Sequence, residues 1–208
     1  MGRYSRRKIN RRKPRRFVVI VCEGVKTEIQ YFKGFNERNS GVKIEPLHGD
    51  CTDPKNIVSF AKEQIAKYDL DFEEGDGLWC AFDVDENKEE IITRAVKLAN
   101  EKNIQIALSN PCIELWFLLH YEWINNHALT RDEAFYKLKE HIKDYDKNYP
   151  EIHSVLKDKL PTAIKNAKKL NKIHENEGIQ LLSTKSVPSS QVFKLVEFIH
   201  KTIEKNRA

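Results

Sequence analysis

The sequence has no long hydrophobic run. Its longest apolar stretch near the start is Phe17–Cys22, whereas a membrane-spanning helix needs about 18–20 apolar residues. The basic residues that open the chain are not followed by an apolar segment of about 7–15 residues with a small-residue cleavage site, as a secretory signal would be. We therefore expect a soluble cytoplasmic protein that does not associate with a membrane.

The chain also has no closely spaced pair of cysteines. Its four cysteines, Cys22, Cys51, Cys80 and Cys112, are spread along the sequence without a CxxC motif. Disulfide-rich domains and cysteine-based structural zinc sites both need denser spacing. We expect reduced cysteines that are mostly buried.

Acidic residues are absent from the first 16 positions, which carry nine Lys or Arg residues. The other 192 residues carry 27 basic and 31 acidic side chains, so a body of net charge −4 follows the basic tail. Such a tail is too charged to fold alone and can neutralise phosphates without reading a base sequence. Arg11, Arg12, Arg15 and Arg16 are therefore candidates for nucleic-acid binding. The alternative is a solvated end that binds nothing specific.

Apolar runs alternate with amphipathic helical segments through the first 122 of the 208 residues. The predicted strands are residues 17–21, 42–47, 78–82 and 104–108, and the predicted helices are residues 27–39, 53–68, 88–100 and 112–121. This alternation predicts a parallel sheet with right-handed crossover helices. Thr27 and Gln30 have the spacing of a capping box at the start of the first helix.

The pattern after residue 123 predicts helices only, at residues 131–142, 162–175 and 189–203. We therefore predict an α/β fold with a mainly parallel four-stranded sheet flanked by helices. The chain divides into a disordered basic tail (1–16), this α/β core (17–122) and a helical extension packed on the core (123–208).

Acidic side chains follow two of the predicted strands. Glu23 ends the first strand, Asp83 and Asp85 end the third, and Ser109-Asn110-Pro111 ends the fourth. Functional residues gather beyond the carboxyl ends of parallel strands, and residues two apart in extended backbone point to the same side. Carboxylates without a nearby His or Cys favour Mg²⁺ or Mn²⁺ over zinc. A solvated acidic loop is the alternative interpretation.

Four segments resemble the motifs of a known family. VVIVCEGVKTEIQYFKGF, AFDVDEN, ALSNPCIELWFLLHYEW and LLSTKSVPSSQVFKLVEFI resemble the RloB-like family in order and spacing. RloB-like proteins, which include the abortive-infection protein AbiLii, are similar to the Toprim superfamily. The resemblance implies a Toprim-like sheet, metal-dependent phosphodiester chemistry and a role in anti-phage defence beside an ABC-type or OLD-like ATPase. Because the chain has no GxxxxGK[ST] loop, that ATPase would be a separate protein.

The resemblance also implies roles for individual residues. Glu23 matches the first-strand glutamate of the superfamily, the expected general acid/base, and Asp83 and Asp85 match its D-x-D metal ligands. A further acid near D-x-D would be Glu86 or Glu89. Bound cations neutralise a scissile phosphate while a carboxylate at the strand end moves a proton.

Four more residues of these motifs could have either a functional or a purely structural role. Lys26 lies near the predicted site and can meet a phosphate, or it is an exposed side chain without a role. Thr27 is more typical of a helix cap than of a phosphate contact. Glu114 and His120 are six residues apart on one helix and face nearly opposite sides. We therefore take Glu114 as the catalytic candidate and His120 as a core or interface histidine.

Three classes of function stay open. The first is a Mg²⁺- or Mn²⁺-dependent nuclease toxin that cleaves RNA such as tRNA, or alternatively DNA, under the control of a separate ATPase. The second is a non-catalytic module that docks on that ATPase. The third is a small-phosphoester or nucleotide enzyme, which would need a closed pocket rather than an open groove. The acidic body argues against tight nucleic-acid binding by the isolated chain, and homo-oligomerisation is left open.

Overall fold

The computed structural model describes residues 15–49, 51–85 and 87–207. Its strands are β1 (Arg16–Cys22), β2 (Val42–His48), β3 (Gly77–Asp83), β4 (Gln105–Asn110) and β5 (Ser189–Ser190). Its helices are α1 (Thr27–Lys33), α2 (Pro54–Lys67), α3 (Glu89–Asn100), α4 (Ile113–Leu118), α5 (Arg131–His141), α6 (Ile152–Leu156), α7 (Leu160–Asn176) and α8 (Val192–Arg207). Strands and helices alternate as far as α4, and β5 is the one strand assigned in the described residues after it.

The five strands form one sheet in the order β2-β1-β3-β4-β5. Strands β1 to β4 run parallel, and β5 pairs antiparallel with β4. The register pairs Cys22 with Ala81 and Asp83 with Ser109, so the carboxyl ends of β1, β3 and β4 lie side by side. The α/β class and the mainly parallel sheet are confirmed, with five strands instead of four.

Strand β1 is buried on both faces, which explains its unbroken apolar sequence. Val19 and Val21 belong to a core that includes residues of α2 and α3. Val18, Ile20 and Cys22 belong to a larger core with residues of α1 and of α4 to α8. Alternate side chains of a strand point to opposite faces. One short apolar run therefore contributes to both layers of the fold.

The prediction of helix α1 was wrong in two respects. Lys26 is the N-cap residue and makes no side-chain capping bond, so the capping box is absent. The Thr27 hydroxyl instead donates a 2.6 Å hydrogen bond to the carbonyl of Lys147. The helix ends at Lys33 rather than near residue 39, because the following segment turns back towards β2, where the Asn36 side chain bonds the backbone of Ile44.

Strand β5 was missed because it consists of two serines without an apolar pattern. Its place in the sheet is set by the backbone: the N–H of Gln191 donates to the carbonyl of Leu108 at 2.8 Å. A strand this short depends on its tertiary partner more than on its own propensity.

The residues after 123 share the larger core with the sheet. Helix α8 buries Val196 and Ile199 completely, and its Phe198 ring lies 5.7 Å from the ring of Trp79 on β3. The proposed boundary at residue 122 stays a prediction, and residues 1–14 of the predicted tail lie outside the described residues. None of the described helices has the length and apolarity needed to cross a membrane.

The four cysteines form no disulfides in the described part of the chain and are mostly buried, as predicted. Within the described residues Cys22, Cys80 and Cys112 are buried free thiols, and Cys51 is half-buried. Burial raises the pKa of Cys22 and Cys112 well above the ordinary range. These thiols are packing residues in the two cores rather than nucleophiles.

Candidate active site

A cleft of about 290 Å³ opens at the carboxyl edge of the sheet. It is lined by Glu28 of α1, Asp83 at the end of β3 and Glu114 of α4. Arg131, the first residue of α5, lines it from the C-terminal half of the chain. Three carboxyl groups and one guanidinium group therefore share a small cavity.

Glu28 occupies this cleft because residue 24 is a glycine. A Cβ atom at Gly24 would lie 1.8 Å from Glu28 Oε2, so any other residue would displace the carboxylate. Burial raises the pKa of Glu28, and the Glu114 and Glu23 carboxyl groups raise it further, while backbone hydrogen bonds lower it. The Glu23-Gly24 step after β1 thus shapes the cleft in addition to ending the strand.

Asp83 is the most crowded acid of the cleft. Its side chain is buried, and this burial raises its pKa well above the ordinary range. Glu28, Glu114 and Glu23 raise the pKa further, and Arg131, with Nη2 3.6 Å from Asp83 Oδ2, lowers it. The guanidinium therefore offsets only part of the carboxylate repulsion. Buried acids with strongly perturbed pKa values in a cleft are typical of functional sites.

Glu114 is held in place by a tyrosine from the second half of the chain. Its carboxylate is 3% exposed, and Oε1 accepts a 3.1 Å hydrogen bond from the hydroxyl of Tyr145. Tyr145 follows α5 and is itself buried. A carboxylate fixed in this way keeps one orientation towards the cavity.

Glu23 and Asp85 line a second cleft of about 330 Å³. Glu23 Oε2 accepts the backbone N–H of Asp83 at 3.0 Å. Burial raises the pKa of Glu23, while this hydrogen bond and Arg131 lower it. Asp85 lies in the left-handed region, with φ of 45°, and forms an ion pair with Arg131. The residues of the second cleft thus contact two residues that line the first, Asp83 and Arg131.

The three predicted metal ligands are neighbours, but they do not converge on one point. Asp83 and Asp85 both pair with the guanidinium of Arg131, and Glu23 bonds the backbone of Asp83. In the part of the chain that the structure describes, these three carboxylates do not form a group with all ligand atoms within 4.8 Å. Arg131 lies between the two aspartates and binds both.

Arg131 was not predicted from the sequence. It is 46 residues from Asp85 along the chain, so no local motif connects the two. One local signal exists: Arg131 begins a helix, where the macrodipole disfavours a positive charge. This signal is weak, because Asp132 and Glu133 in the same turn already supply negative charge.

The remaining candidates fall into two places. Lys26 is exposed and lines the first cleft with Glu28 and Glu114. Arg16 begins β1 and forms an ion pair with Glu74. Since a strand rises about 3.3 Å per residue, the seven-residue β1 separates Glu23 from Arg15 and Arg16. The two arginines lie at the amino-terminal ends of the strands, and Glu23 lies at the carboxyl ends. Arg11 and Arg12 lie outside the described residues.

The less favoured candidates have structural roles where the chain is described. His120 Nδ1 lies 2.9 Å from the carbonyl of Trp116, and burial lowers the His120 pKa to about 4, so it is a neutral core histidine. Glu89 accepts hydrogen bonds of 2.7 and 2.6 Å from the backbone N–H and hydroxyl of Thr184. Glu86 lies outside the described residues.

A family model described as RloB-like protein matches residues 18–199. The chain belongs to the RloB-like family. The match covers both clefts and ends within α8, and the basic residues at the start of the chain precede it. No curated protein and no solved structure is significantly similar to this RloB-like chain.

The donor set of this RloB-like chain fits a hard divalent cation. Glu23, Asp83 and Asp85 offer carboxylate oxygens, which Mg²⁺ and Mn²⁺ prefer. Burial is the main cause that raises the pKa of Asp83 and of Glu23, and neighbouring acids add to it. A bound cation would offset the repulsion between these acids if the Arg131 side chain, 39% exposed, gave up part of its contact with the aspartates.

Proposed function

We propose that the chain is a Mg²⁺- or Mn²⁺-dependent Toprim-type nuclease, the toxin of an anti-phage abortive-infection system that a separate ABC-type or OLD-like ATPase controls. The observation that carries the proposal is the convergence of Glu28, Asp83 and Glu114 on one cleft. Their burial costs free energy that a packing role would not need. Family membership adds the expectation of Toprim chemistry.

The chain's own residues supply three kinds of chemistry. Glu23 is half-buried, and burial raises its pKa, which favours the protonated form that a general acid needs. Lys26 on the rim can receive a phosphate. Asp83 and Asp85, with Glu23 as a further ligand, would hold the cation. When bound, the cation would neutralise the scissile phosphate and lower the pKa of an attacking water.

Glu114 and Glu28 extend the proposed site beyond the D-x-D residues. The Tyr145 hydroxyl fixes Glu114, and the absence of a side chain at Gly24 admits Glu28. Both acids raise the pKa of Asp83. They therefore increase the affinity of the site for positive charge, and Glu114 is a candidate to orient a water or substrate.

RNA, with tRNA as the leading candidate, is our proposed substrate, and DNA is the alternative. The described basic residues Arg15 and Arg16 lie at the far edge of the sheet from the clefts, and Arg16 is already paired with Glu74. In the first cleft the basic residues Lys26, Arg131 and Lys147 do not outnumber the three acids. Both features support a role for the partner ATPase in presenting the substrate, since a cleft without excess positive charge does not hold a polyanion by itself.

The experiment compares the wild type with Asp83→Asn and Glu114→Gln, each expressed with and without the partner ATPase. Growth, phage protection, total RNA and total DNA are measured. Purified proteins are then incubated with tRNA or DNA in Mg²⁺, Mn²⁺ or EDTA. Glu45→Gln is the matched control, because Glu45 is a half-buried strand glutamate paired with Lys43 on β2 and lines neither cleft.

We expect metal-dependent cleavage that both site variants abolish and the Glu45 control retains. The polymer that is fragmented identifies the substrate. If Asp83→Asn and Glu114→Gln fold and still protect cells as well as the wild type, the catalytic proposal is wrong. A module that docks on the ATPase would then be the better account.

A further inference from the structure

Two histidines and one glutamate form a second cluster on the helical part of the fold. His127 lies in the segment between α4 and α5, and His174 and Glu177 lie at the end of α7. One nitrogen of each histidine and one oxygen of the glutamate all lie within 4.8 Å of one another. None of these residues lines the two clefts of the proposed active site.

The spacing of His174 and Glu177 places both on one face of a helix end. Residues three apart on a helix are neighbours on its surface, and Glu177 directly follows the last residue of α7. Gly178 then turns the chain with φ of 69°, and the N–H of Ile179 bonds the carbonyl of His174 at 2.8 Å. These contacts fix the backbone at the end of the helix, and with it the relative position of His174 and Glu177.

A buried nitrogen of His174 points to a ligand. His174 Nε2 lies 2.9 Å from the carbonyl oxygen of Pro188, which can only accept, so Nε2 carries the proton. The other ring nitrogen, Nδ1, is buried without a hydrogen-bond partner among the described residues, and an imidazole with one proton carries its lone pair there. A buried acceptor without a partner is unfavourable unless something binds it.

A histidine whose second nitrogen donates to a backbone carbonyl is the usual arrangement of a metal-bound imidazole. The hydrogen bond fixes the tautomer and leaves the other ring nitrogen free to bind a metal. His127 and Glu177 are exposed, so their side chains are free to turn towards it. Two ligand atoms of a tetrahedral zinc ion lie about 3.4 Å apart. Rotation of the His127 and Glu177 side chains can shorten the distances between the ligand atoms from within 4.8 Å to this value.

We propose that His127, His174 and Glu177 bind a zinc ion, with a water molecule as the fourth ligand. Two imidazoles and one carboxylate form a zinc donor set, whereas Mg²⁺ prefers oxygen ligands alone. The ion would connect the end of α7 to the segment four residues before Arg131. It would also stabilise the His174–Pro188 contact that precedes β5.

The test is titration of the metal-free full-length protein with Zn²⁺, followed by calorimetry and thermal unfolding. We expect one ion per chain, and a hundredfold excess over the dissociation constant should raise the unfolding temperature by about 5–10 °C. Co²⁺ in place of zinc should give visible d–d bands without a thiolate charge-transfer band, which separates this site from one involving Cys51. The titration is carried out in excess Mg²⁺, which would occupy the carboxylate cleft and should not displace zinc from the two histidines.

The variants His127→Ala and Glu177→Gln change exposed residues, so they test the site without disturbing the core. Each should weaken zinc binding at least tenfold and remove the thermal shift. His141→Ala is the control, because His141 forms a pair with Glu122 at 3.3 Å and has no third ligand in the described cluster. Unchanged zinc affinity in both site variants, a thiolate band with Co²⁺, or no binding by the wild type would each overturn the proposal.

Discussion

The hydroxyl of Tyr145 donates a 3.1 Å hydrogen bond to Glu114, and both side chains are buried. The tyrosine comes from the segment after α5 and the glutamate from α4. An acid that a sequence motif places in the site is therefore oriented by a residue outside that motif.

Tyr145→Phe should lower the free energy of unfolding by about 1–2 kcal/mol, because the buried Glu114 carboxylate loses its donor. The proposed nuclease activity should fall together with stability, since Glu114 gains rotational freedom. Urea unfolding measures the first effect and the cleavage assay the second. Tyr136→Phe is the control: Tyr136 is 67% exposed on α5 and should tolerate the change. Equal stability of Tyr145→Phe and the wild type would contradict the assigned hydrogen bond.

Gly24→Ala should displace the carboxylate of Glu28, because the added Cβ would lie 1.8 Å from Oε2. Overpacking of this kind costs about 1–3 kcal/mol, and we expect the activity to be lost with the position of Glu28. Gly49→Ala is a comparison at a similar loop position after β2, where the nearest atom, Val21 Cγ1, lies at 3.3 Å. If both glycine variants lose the same stability and activity, the specific contact with Glu28 is not what requires glycine.

The contribution of Asp83 to the stability of the metal-free protein should fall as pH rises. Burial and neighbouring acids raise the pKa of Asp83 in the folded protein, whereas in the unfolded chain an aspartate has a pKa of about 4. At pH values between these two pKa values, Asp83 is protonated in the folded state and ionised in the unfolded state. Its contribution to the free energy of unfolding therefore decreases as the pH rises. Asp83→Asn should therefore be more stable than the wild type at pH 7, and the difference should shrink towards pH 4.

Urea unfolding at a series of pH values measures this difference. Mg²⁺ should reduce it at pH 7 by stabilising the wild type alone, because the asparagine variant has lost the charge that attracts the ion. A difference between the two proteins that does not change with pH would show that Asp83 titrates normally.

Arg131→Met should destabilise the metal-free protein by about 1 kcal/mol at neutral pH, since it leaves Asp83 and Asp85 without their shared cation. Arg131→Lys should recover part of this loss. The control is Arg207→Met, whose partner Glu37 is largely exposed; surface pairs of this kind contribute little. A loss no larger for Arg131→Met than for Arg207→Met would mean that the site does not need the guanidinium.

The residues at the strand ends could be predicted because their positions follow from local patterns. The apolar run of β1 locates its end, and the parallel register then brings Glu23 next to Asp83. The start of α2 could also be predicted from local sequence. Asp53 accepts hydrogen bonds from the backbone N–H groups of Lys55 and Asn56, and Pro54 is the first residue of the helix.

The features that sequence reasoning missed depend on contacts distant in the chain. Thr27 has the pattern of a cap, yet its hydroxyl bonds Lys147, 120 residues away. The pairing of Arg131 with Asp85 and the two-residue strand β5 likewise exist only because the chain folds back. Local propensity carries no information about such partners.

The placement of Arg131, Tyr145 and Lys147 has a consequence for any attempt to shorten this protein. All three contact the acidic residues or α1 from beyond residue 122, the predicted end of the core. A fragment that stops there keeps Glu23, Glu28, Asp83, Asp85 and Glu114 and loses their counter-charge and their anchor. The acidic motifs of this chain are therefore not a self-contained unit, and a fragment intended to keep their geometry must include the helices that follow them.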